Sequence, residues 1–308
     1  MRIHCVVVTY NHLHLLQSCL QAIQAQSRPV DGLWVIDNHS TDGTAQWLDE
    51  TAKAVPSLHV VHTGSNTGGA GGFSLGTRLA VEAGCDYVWL MDDDTHPAPD
   101  ALQHLARAAA PDGSTGFACS KVEWTDGTPH VMNRPALEAG ADKAAHTESI
   151  NGEECVACKT CSFVSVLVGS KAVREVGLPI KEFFIWCDDI EFTLRIHDAG
   201  YACHYVPASR VTHATRLNYF PSIDIAPPEM AARFYYQARN TCYMKRRATN
   251  RVAFYVSVFN KWRVYMHRLT RRTDRTNISE FRRAVTRGCI DGLTFNPTIE
   301  HINDTSHE

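Results

Sequence analysis

Short apolar runs alternate with helical patterns along the first third of the chain. The runs are rich in β-branched residues and lie at 3–8, 33–36, 58–62 and 87–91. Stretches whose apolar residues recur at helical spacing follow them. This alternation predicts an α/β fold with a doubly wound, mostly parallel sheet. In such a sheet the ligand binds at the carboxyl ends of the strands, where Asp37 and three aspartates at 92–94 stand.

The rest of the chain has a looser pattern. A polar stretch at 125–151 is typical of a substrate-facing loop region, and the proline-rich segment 217–228 is the best candidate linker. After it, an apolar stripe predicts an amphipathic helix. Its members are Tyr255, Val258, Phe259, Trp262, Tyr265, Met266 and Leu269. We therefore predict an α/β domain at 1–216 and a basic, amphipathic helical region at 217–308.

Composition places the chain among globular proteins, since 44% of its 308 residues are hydrophobic and 20% are charged. No run of eighteen apolar residues occurs, and the first apolar run is too short for a signal peptide, so we expect a cytoplasmic protein. Eleven cysteines without the spacing of a disulfide framework are expected to be reduced thiols.

Opposite charges are separated along the sequence. Residues 229–287 contain 15 Lys and Arg against 3 Asp and Glu, so they carry +12 within a chain of net charge −3. An acidic front favours a bound cation, and a basic tail favours phosphates, nucleic acid or an anionic membrane. Nucleic acid is not expected, because no recognised module accompanies the charge. Two alternatives remain for the apolar stripe: attachment to a membrane surface, or packing on the α/β domain or a second subunit.

The three aspartates after the fourth apolar run carry the first chemical signal. Like charges held together raise one another's pKa unless a cation neutralises them. Asp92 and Asp94 stand two apart, so both carboxylates can point to one face, and oxygen ligands suit Mg²⁺ or Mn²⁺. The alternative is a solvated acidic turn.

Three further features are ambiguous when each is taken alone. Four glycines at 68–72 let the backbone approach a ligand closely, or they form a plain flexible loop. Asp188, Asp189 and Glu191 form a second acidic cluster, which suits a general base beside apolar groups or an exposed helix start. Trp186 next to it could stack on a sugar face, and His213, one of sixteen histidines, is by itself typical of a packed or surface imidazole.

Taken together in sequence order, seven motifs resemble glycosyltransferase family 2, the inverting GT-A enzymes that use nucleotide-sugar donors. They are Val8-Thr9-Tyr10-Asn11, Ile36-Asp37-Asn38-x-Ser40-x-Asp42-Gly43-Thr44, Asn66-x-Gly68-Gly69-Ala70-Gly71-Gly72-Phe73, Asp92-x-Asp94, Asp188-Asp189-x-Glu191-Phe192-x-x-Arg195, His213 and Tyr235-Tyr236-x-x-Arg239-Asn240. The resemblance implies a GT-A fold in which 1–96 bind the nucleotide sugar and 97–216 hold the acceptor and catalytic groups.

The resemblance also implies a role for each motif residue on the donor side. Asp37 would accept a hydrogen bond from a uracil-type base, with Thr9 nearby, and Asp93 would lie near the donor sugar or ribose. Asn66 and Gly69 of the glycine-rich motif would contact the donor as well.

The same resemblance implies the metal and the catalytic groups. Asp92, Asp94 and His213 would hold Mn²⁺ or Mg²⁺ on the donor diphosphate. Asp189 would deprotonate the acceptor hydroxyl for in-line attack, with inversion at the anomeric carbon. Trp186 would bind the acceptor, and Asp188 and Glu191 would tune this base or bind the acceptor as well.

Within the family, the glycine-rich motif and His213 are most similar to bacterial galactofuranosyltransferases. UDP-galactofuranose is therefore the expected donor, and dTDP-rhamnose is the alternative, because rhamnosyltransferases share much of the pattern. We expect a glycan or lipid-linked glycan acceptor in cell-surface polysaccharide synthesis, with peripheral contact at the inner face of the cytoplasmic membrane through 229–287. A nucleotidyltransferase and a non-catalytic nucleotide-sugar-binding scaffold are the competing hypotheses.

Overall fold

A computed structural model describes residues 1–111, 113–138 and 147–302 of the chain. In these ranges the chain forms an α/β fold built around one large sheet, as the alternating pattern predicts. Part of the polar stretch 125–151 and the last six residues of the C-terminal region lie outside the described residues.

The strands are numbered here in the order in which they occur along the chain. They are β1 Ile3–Thr9, β2 Gly32–Asp37, β3 Leu58–His62, β4 Tyr87–Asp92, β5 Thr95–Pro97, β6 Thr115–Glu123, β7 Ala136–Leu137, β8 Thr147–Ile150, β9 Glu153–Thr160, β10 Val166–Gly169 and β11 Ala202–His213. The four apolar runs of the sequence coincide with β1 to β4.

Helices separate the first strands and then follow the last one. They are α1 Leu13–Gln24, α2 Thr44–Ala54, α3 Gly68–Glu82, α4 Ala101–Ala108, α5 Ser170–Val176, α6 Asp188–Asp198, α7 Arg233–Ala248, α8 Arg251–Arg271 and α9 Ile278–Gly292. Two 3₁₀ turns lie at Lys181–Phe183 and Pro228–Met230.

The sheet is parallel in its first half and mixed in its second. Its order is β3-β2-β1-β4-β10-β6-β11-β9-β7, with β5 paired to β11 and β8 paired to β9. Strands β1 to β4 run parallel, whereas β10 runs antiparallel to both β4 and β6. All seven residues of β1 are buried, because helices cover both faces of the sheet.

The glycine-rich motif is helical, so its interpretation as a flexible loop is wrong. Helix α3 begins at Gly68 and crosses the sheet close to β1. A Cβ at Gly72 would lie 2.5 Å from Cγ1 of Val8 and 3.2 Å from Nδ2 of Asn38. The glycines therefore serve close helix–sheet packing, which outweighs their low helix propensity.

The predicted apolar stripe is for the most part packed. Val258, Tyr265 and Leu269 of α8 are buried in a cluster with α7 and α9, which Trp262 and Met266 also contact. Its other two members, Tyr255 and Phe259, are exposed. Among the helices that the structure describes, none is both long enough and apolar enough to cross a membrane.

The proline-rich segment 217–228 also packs onto these helices, because Ile223 and Ala226 are buried in the same cluster. Contacts connect the C-terminal region to the α/β domain as well. Arg247 of α7 forms an ion pair with Glu191 of α6. The segment after α9 returns to the domain, where Glu300 pairs with Arg78 and Lys181.

Candidate active site

The carboxyl ends of three neighbouring strands bring polar side chains to one edge of the sheet. Thr9, the last residue of β1, stands opposite Asp37, the last residue of β2. Val8 stands opposite Asp92, the last residue of β4. The parallel register therefore places residues that are up to 83 positions apart at the same edge, as the strand pattern predicted.

A second pairing brings His213 to the aspartates. Strand β11 ends at His213, which is paired with Thr95 of β5, and the backbone N–H of Ala214 donates to the carbonyl of Asp94 at 2.8 Å. One ligand atom from each of Asp92, Asp94 and His213 lies within 4.8 Å of the other two. The structure thus brings together the three residues that the family resemblance implied as metal ligands.

The chemistry of this donor set fits a divalent cation. Nδ1 of His213 lies 2.8 Å from Oδ1 of Asn133, an oxygen that only accepts, so Nδ1 carries a proton. When the ring is neutral, Nε2 is therefore the nitrogen that can bind a metal. Nε2 lies 3.0 Å from Oδ1 of Asp94, and this buried oxygen makes no hydrogen bond of good geometry. Two carboxylates and one imidazole suit Mn²⁺, and also Mg²⁺.

Burial and neighbouring charges shift the pKa values of all three residues in the cluster. Burial raises the pKa of Asp92 to about 7, and the charge of Asp94 adds to that rise. Burial also opposes the ionisation of Asp94, but the adjacent His213 holds the pKa of Asp94 below its usual value. Burial would lower the pKa of His213, but Asp94 reverses this effect and raises it. A bound divalent ion would favour ionised carboxylates and a neutral imidazole.

Residues that the sequence did not single out support His213. Asn133 orients its ring and receives support itself, since its side-chain amide donates to Oγ of Ser162 at 3.0 Å. The ring of His130 lies 4.6 Å from that of His213. Burial and the nearby His213 lower the pKa of His130 to about 4, so this second imidazole is neutral. Single asparagines and histidines in irregular segments give no sequence signal of such pairing.

The side chain of Asp93 contacts the end of β1 and the residues that follow it. Its carboxylate accepts a hydrogen bond from Oγ1 of Thr9 at 2.6 Å and lies 3.2 Å from Nδ1 of His12. Asp93 is 5% exposed, and its burial raises its pKa even though both partners oppose that rise. The carboxylate thus links the ends of β1 and β4. The place near the donor sugar or ribose that the resemblance implied for Asp93 stays a prediction.

Asp37 is engaged on both oxygens. Oδ1 accepts from the backbone N–H of Ser40 at 3.0 Å, and Oδ2 lies 2.8 Å from Nδ1 of His62. His62, which the sequence did not single out, also reaches Asp49 at 3.1 Å. Asp37 is 1% exposed, so these partners and the surrounding strands cover its carboxylate.

Asn66 and Gly69 lie at the start of α3. Oδ1 of Asn66 accepts from the backbone N–H of Gly68 at 2.8 Å, and Nδ2 of Asn38 donates to the carbonyl of Gly68 at 2.8 Å. A Cβ at Gly69 would meet nothing closer than Cε2 of Phe73 at 4.0 Å. The backbone at Gly69 is therefore open to a ligand, whereas Gly68 is held on both sides.

The second acidic cluster begins helix α6. Asp188 is the first helical residue and is buried, and Asp189 is half-buried with Oδ1 accepting from the N–H of Ile190 at 2.7 Å. Burial raises the pKa of Asp188, and the charges of Asp189 and Asp92 add to that rise. Burial also raises the pKa of Asp189 to about 6. The acidic start of α6 therefore lies within electrostatic reach of Asp92 at the end of β4.

Trp186 and Glu191 have different surroundings. Trp186 is half-buried, with its ring edge-on to Phe234 of α7 at 5.4 Å. Glu191 is 1% exposed, and its carboxylate is shared by Arg195, at 2.9 Å from Nη2, and Arg247, at 2.5 Å from Nη1. Both arginines engage the carboxylate of Glu191, which favours a structural role over the expected acceptor-binding one.

Comparisons with known proteins agree with this architecture. Residues 5–166 match the family model described as Glycosyl transferase family 2. Galactofuranosyltransferase GlfT1 of Mycobacterium tuberculosis is 32% identical over 211 residues, which cover 64% of this chain and 65% of that protein. An N-acetylglucosaminyl-diphospho-decaprenol L-rhamnosyltransferase of the same species is 27% identical over 233 residues, covering 68% and 74%. The chain thus matches less than two thirds of the length of GlfT1.

Two solved structures share the fold. GalNAc-T7 with UDP, GalNAc and Mn²⁺ gives a TM-score of 0.60 at 16% identity and covers 81% of this chain and 52% of that one. A mannosyltransferase from Pyrobaculum calidifontis in complex with GDP-Man and Mn²⁺ gives a TM-score of 0.55 at 16% identity and covers 95% and 87%. These likenesses confirm the GT-A fold that the motifs implied.

Proposed function

Because the chain belongs to glycosyl transferase family 2, we propose that it is a metal-dependent, inverting glycosyltransferase that moves a sugar from a nucleotide-sugar donor to a glycan acceptor. The observation that carries this proposal is the convergence of Asp92, Asp94 and His213 at the strand ends. A nucleotide-sugar scaffold without turnover would have no use for the acidic start of α6 beside them.

The proposed metal site uses Asp92, Asp94 and His213 to hold Mn²⁺ or Mg²⁺. When bound there, the ion would act as a Lewis acid that offsets the charge of the departing diphosphate. Asn133 keeps the proton of His213 on Nδ1 and so presents Nε2.

On the donor side, we assign the base pocket to the end of β2 and the phosphate contact to the start of α3. Asp37 would accept from the base, with Thr9 and Asp93 shaping the loop beside it. Asn66 fixes the first turn of α3, and the open backbone at Gly69 lies where helix N–H groups favour negative charge.

On the acceptor side, Asp189 is the proposed general base. It is half-buried at the helix start, and its raised pKa, at about 6, leaves it ionised at neutral pH yet more basic than an exposed aspartate. It would take the proton of the acceptor hydroxyl as that oxygen attacks the anomeric carbon, which inverts the configuration. Buried Asp188 would tune this base, and Trp186 would border the acceptor.

For the donor, we propose UDP-galactofuranose, supported by the 32% identity to GlfT1 of M. tuberculosis. The competing donor is dTDP-rhamnose, since rhamnosyltransferases are also among the relatives. A glycan of a cell-surface polysaccharide is the proposed acceptor.

A donor panel tests this function. The protein is incubated with UDP-galactofuranose, UDP-galactopyranose and dTDP-rhamnose, with Mn²⁺ or with a chelator, and donor consumption is measured with and without galactan-type oligosaccharides. We expect Mn²⁺-dependent consumption of UDP-galactofuranose. Consumption of dTDP-rhamnose alone would overturn the donor but keep the site, and binding without consumption under every condition would favour the scaffold.

We also propose that the outer face of α8 rests on an anionic membrane. Val252, Val256 and Phe259 are 54–74% exposed along this face. The helix has no acidic residue, and four of its basic residues are exposed: Arg251, Arg263, Arg268 and Arg271. The fifth, Lys261, is half-buried over the ring of Tyr265. Exposed apolar groups beside exposed cations suit the interface of an anionic bilayer, where each cation adds about 1 kcal/mol.

Vesicle sedimentation tests this contact. We expect binding to vesicles with anionic lipid, weaker binding to neutral ones, and loss of binding in Val256→Ser/Phe259→Ser. Ile225→Ser is the matched control, because Ile225 is an exposed apolar residue outside α8. Wild-type binding by the double variant would contradict the proposal, as would a concentration-dependent dimer that covers the same face.

A further inference from the structure

The loop that leads into helix α6 holds an unusual backbone conformation. Phe184, Trp186 and Cys187 have φ angles of 65°, 66° and 70°, in the left-handed region that residues with a Cβ seldom adopt. We call residues 183–187 the base loop, because they end directly before Asp188 and Asp189. Three such residues within four positions persist only where the surroundings fix them.

One side chain of α7 fixes the base loop. Nδ2 of Asn240 lies 2.9, 3.1 and 2.9 Å from the carbonyl oxygens of Phe183, Ile185 and Trp186. Asn240 is fully buried. Its Oδ1 accepts from Arg239, at 3.1 Å from Nε and 3.0 Å from Nη2. The whole amide of Asn240 is thus used to hold a loop that lies more than fifty positions earlier.

Arg239 extends this clamp. Its guanidinium donates to the carbonyls of Glu182 and Phe183 and stacks on the ring of Phe295, 3.9 Å from the ring centroid. Consecutive residues of α7 therefore hold the base loop.

The opposite side of the base loop touches the donor side of the site. The carbonyl of Phe184 accepts from the backbone N–H of Ala70 in the first turn of α3 at 3.1 Å. A Cβ at Gly68 would overlap that same carbonyl, so only glycine permits this approach. The base loop is therefore held between α7 and the start of α3, the helix to which we assign the donor phosphates.

We propose that Asn240 is a positioning residue that sets the location of the general base Asp189 relative to the donor. The inference rests on the proposed function, in which Asp189 is the base. It makes the C-terminal helical region part of the catalytic apparatus: through the base loop, α7 determines where α6 begins. Asn240 acts through the loop and touches no reacting atom.

The test compares Asn240→Ala with Tyr265→Phe. Tyr265 is a buried residue of α8 that donates to Gln237 of α7 at 3.0 Å, so its variant also removes a buried hydrogen bond next to α7 but leaves the base loop intact. For each protein we measure thermal unfolding, Mn²⁺-dependent UDP affinity, and kcat and KM for sugar transfer. Asn240→Ser, which keeps one donor, is measured alongside.

We expect Asn240→Ala to lower kcat by about 10–100-fold, the range for a catalytic group displaced by roughly 1 Å, with UDP affinity within about threefold of wild type. Asn240→Ser should fall between, and Tyr265→Phe should transfer like wild type. A folded Asn240→Ala with wild-type kcat would overturn the proposal, as would a UDP affinity that falls as far as kcat. If neither Asn240 variant folds while Tyr265→Phe does, Asn240 serves folding and the positioning role is wrong. A wild-type protein without transfer would instead count against the proposed function.

Discussion

Replacing Glu191 by Gln tests whether this carboxylate holds the structure together or binds substrate. The side chain of Glu191 is fully buried, that of Arg195 is 7% exposed and that of Arg247 is 46% exposed. Loss of the charge leaves the buried Arg195 guanidinium without its counter-ion, and breaking a buried pair costs about 3–5 kcal/mol. Arg247→Ala removes a partner that water already screens, so it should cost about 1 kcal/mol or less.

Urea unfolding followed by circular dichroism measures both variants, with equal slopes required before free energies are compared. We expect Glu191→Gln to lower the free energy of unfolding several times more than Arg247→Ala. Mn²⁺-dependent UDP binding should persist in both at a temperature where they are folded. A Glu191→Gln protein as stable as wild type but impaired in acceptor KM would refute the structural role and restore the acceptor-binding one.

Three further predictions concern the base, the metal site and the packing of α3. Asp189→Asn should keep UDP binding and lose about 10²-fold or more in the rate of transfer. The wild-type transfer rate should rise with pH around pH 6, because only the ionised carboxylate of Asp189 accepts a proton. Mn²⁺ affinity should rise with pH, because a proton on His213 competes with the ion and the pKa of His213 is raised. Asn133→Ala should weaken Mn²⁺ binding about 10–100-fold, because Asn133 orients the ring of His213. Gly72→Ala should destabilise the protein by about 1–3 kcal/mol in urea unfolding, because its Cβ would press on a buried valine, whereas Gly69→Ala should not destabilise it.

Contrary results would be specific in each case. Full transfer by Asp189→Asn would remove Asp189 as the base. So would a wild-type transfer rate that does not change between pH 5 and pH 8. Mn²⁺ affinity that is independent of pH and of Asn133 would remove the imidazole from the metal site. Equal stability of the two glycine variants would show that α3 has room to move away from β1.

The strand ends were predictable from the sequence because a strand end depends on the residues next to it in the chain. Apolar runs that stop at Asp37 and Asp92 define strands and their carboxyl ends, and parallel pairing then fixes which ends meet. His213 could be placed only through the family resemblance, since nothing in its own neighbourhood distinguishes it from fifteen other histidines. The structure adds the reason: β11 pairs with β5 one residue after Asp94.

Other features escaped sequence reasoning because tertiary contacts decide them. The glycines of α3 looked like a loop, yet close packing on β1 makes them helical. Glu191 was expected near the acceptor, and the sequence gives no sign that Arg247, 56 positions later, forms an ion pair with it. The apolar stripe of α8 contained both buried and exposed residues, and periodicity alone does not tell which neighbours cover a helix. Asn240 stood inside a recognised motif, while its hydrogen bonds to the base loop depend on the fold.

We propose above all that Asp92, Asp94 and His213 hold a divalent ion together with the nucleotide. Pulsed electron paramagnetic resonance of Mn²⁺ bound together with UDP measures this directly, because a coordinated imidazole couples its nitrogen to the metal electron. We predict a nitrogen signal in the wild-type protein that disappears in His213→Gln, and no protein-bound Mn²⁺–UDP in Asp94→Asn. A nitrogen signal that survives in His213→Gln, or UDP binding that is equally tight with a chelator, would contradict the account.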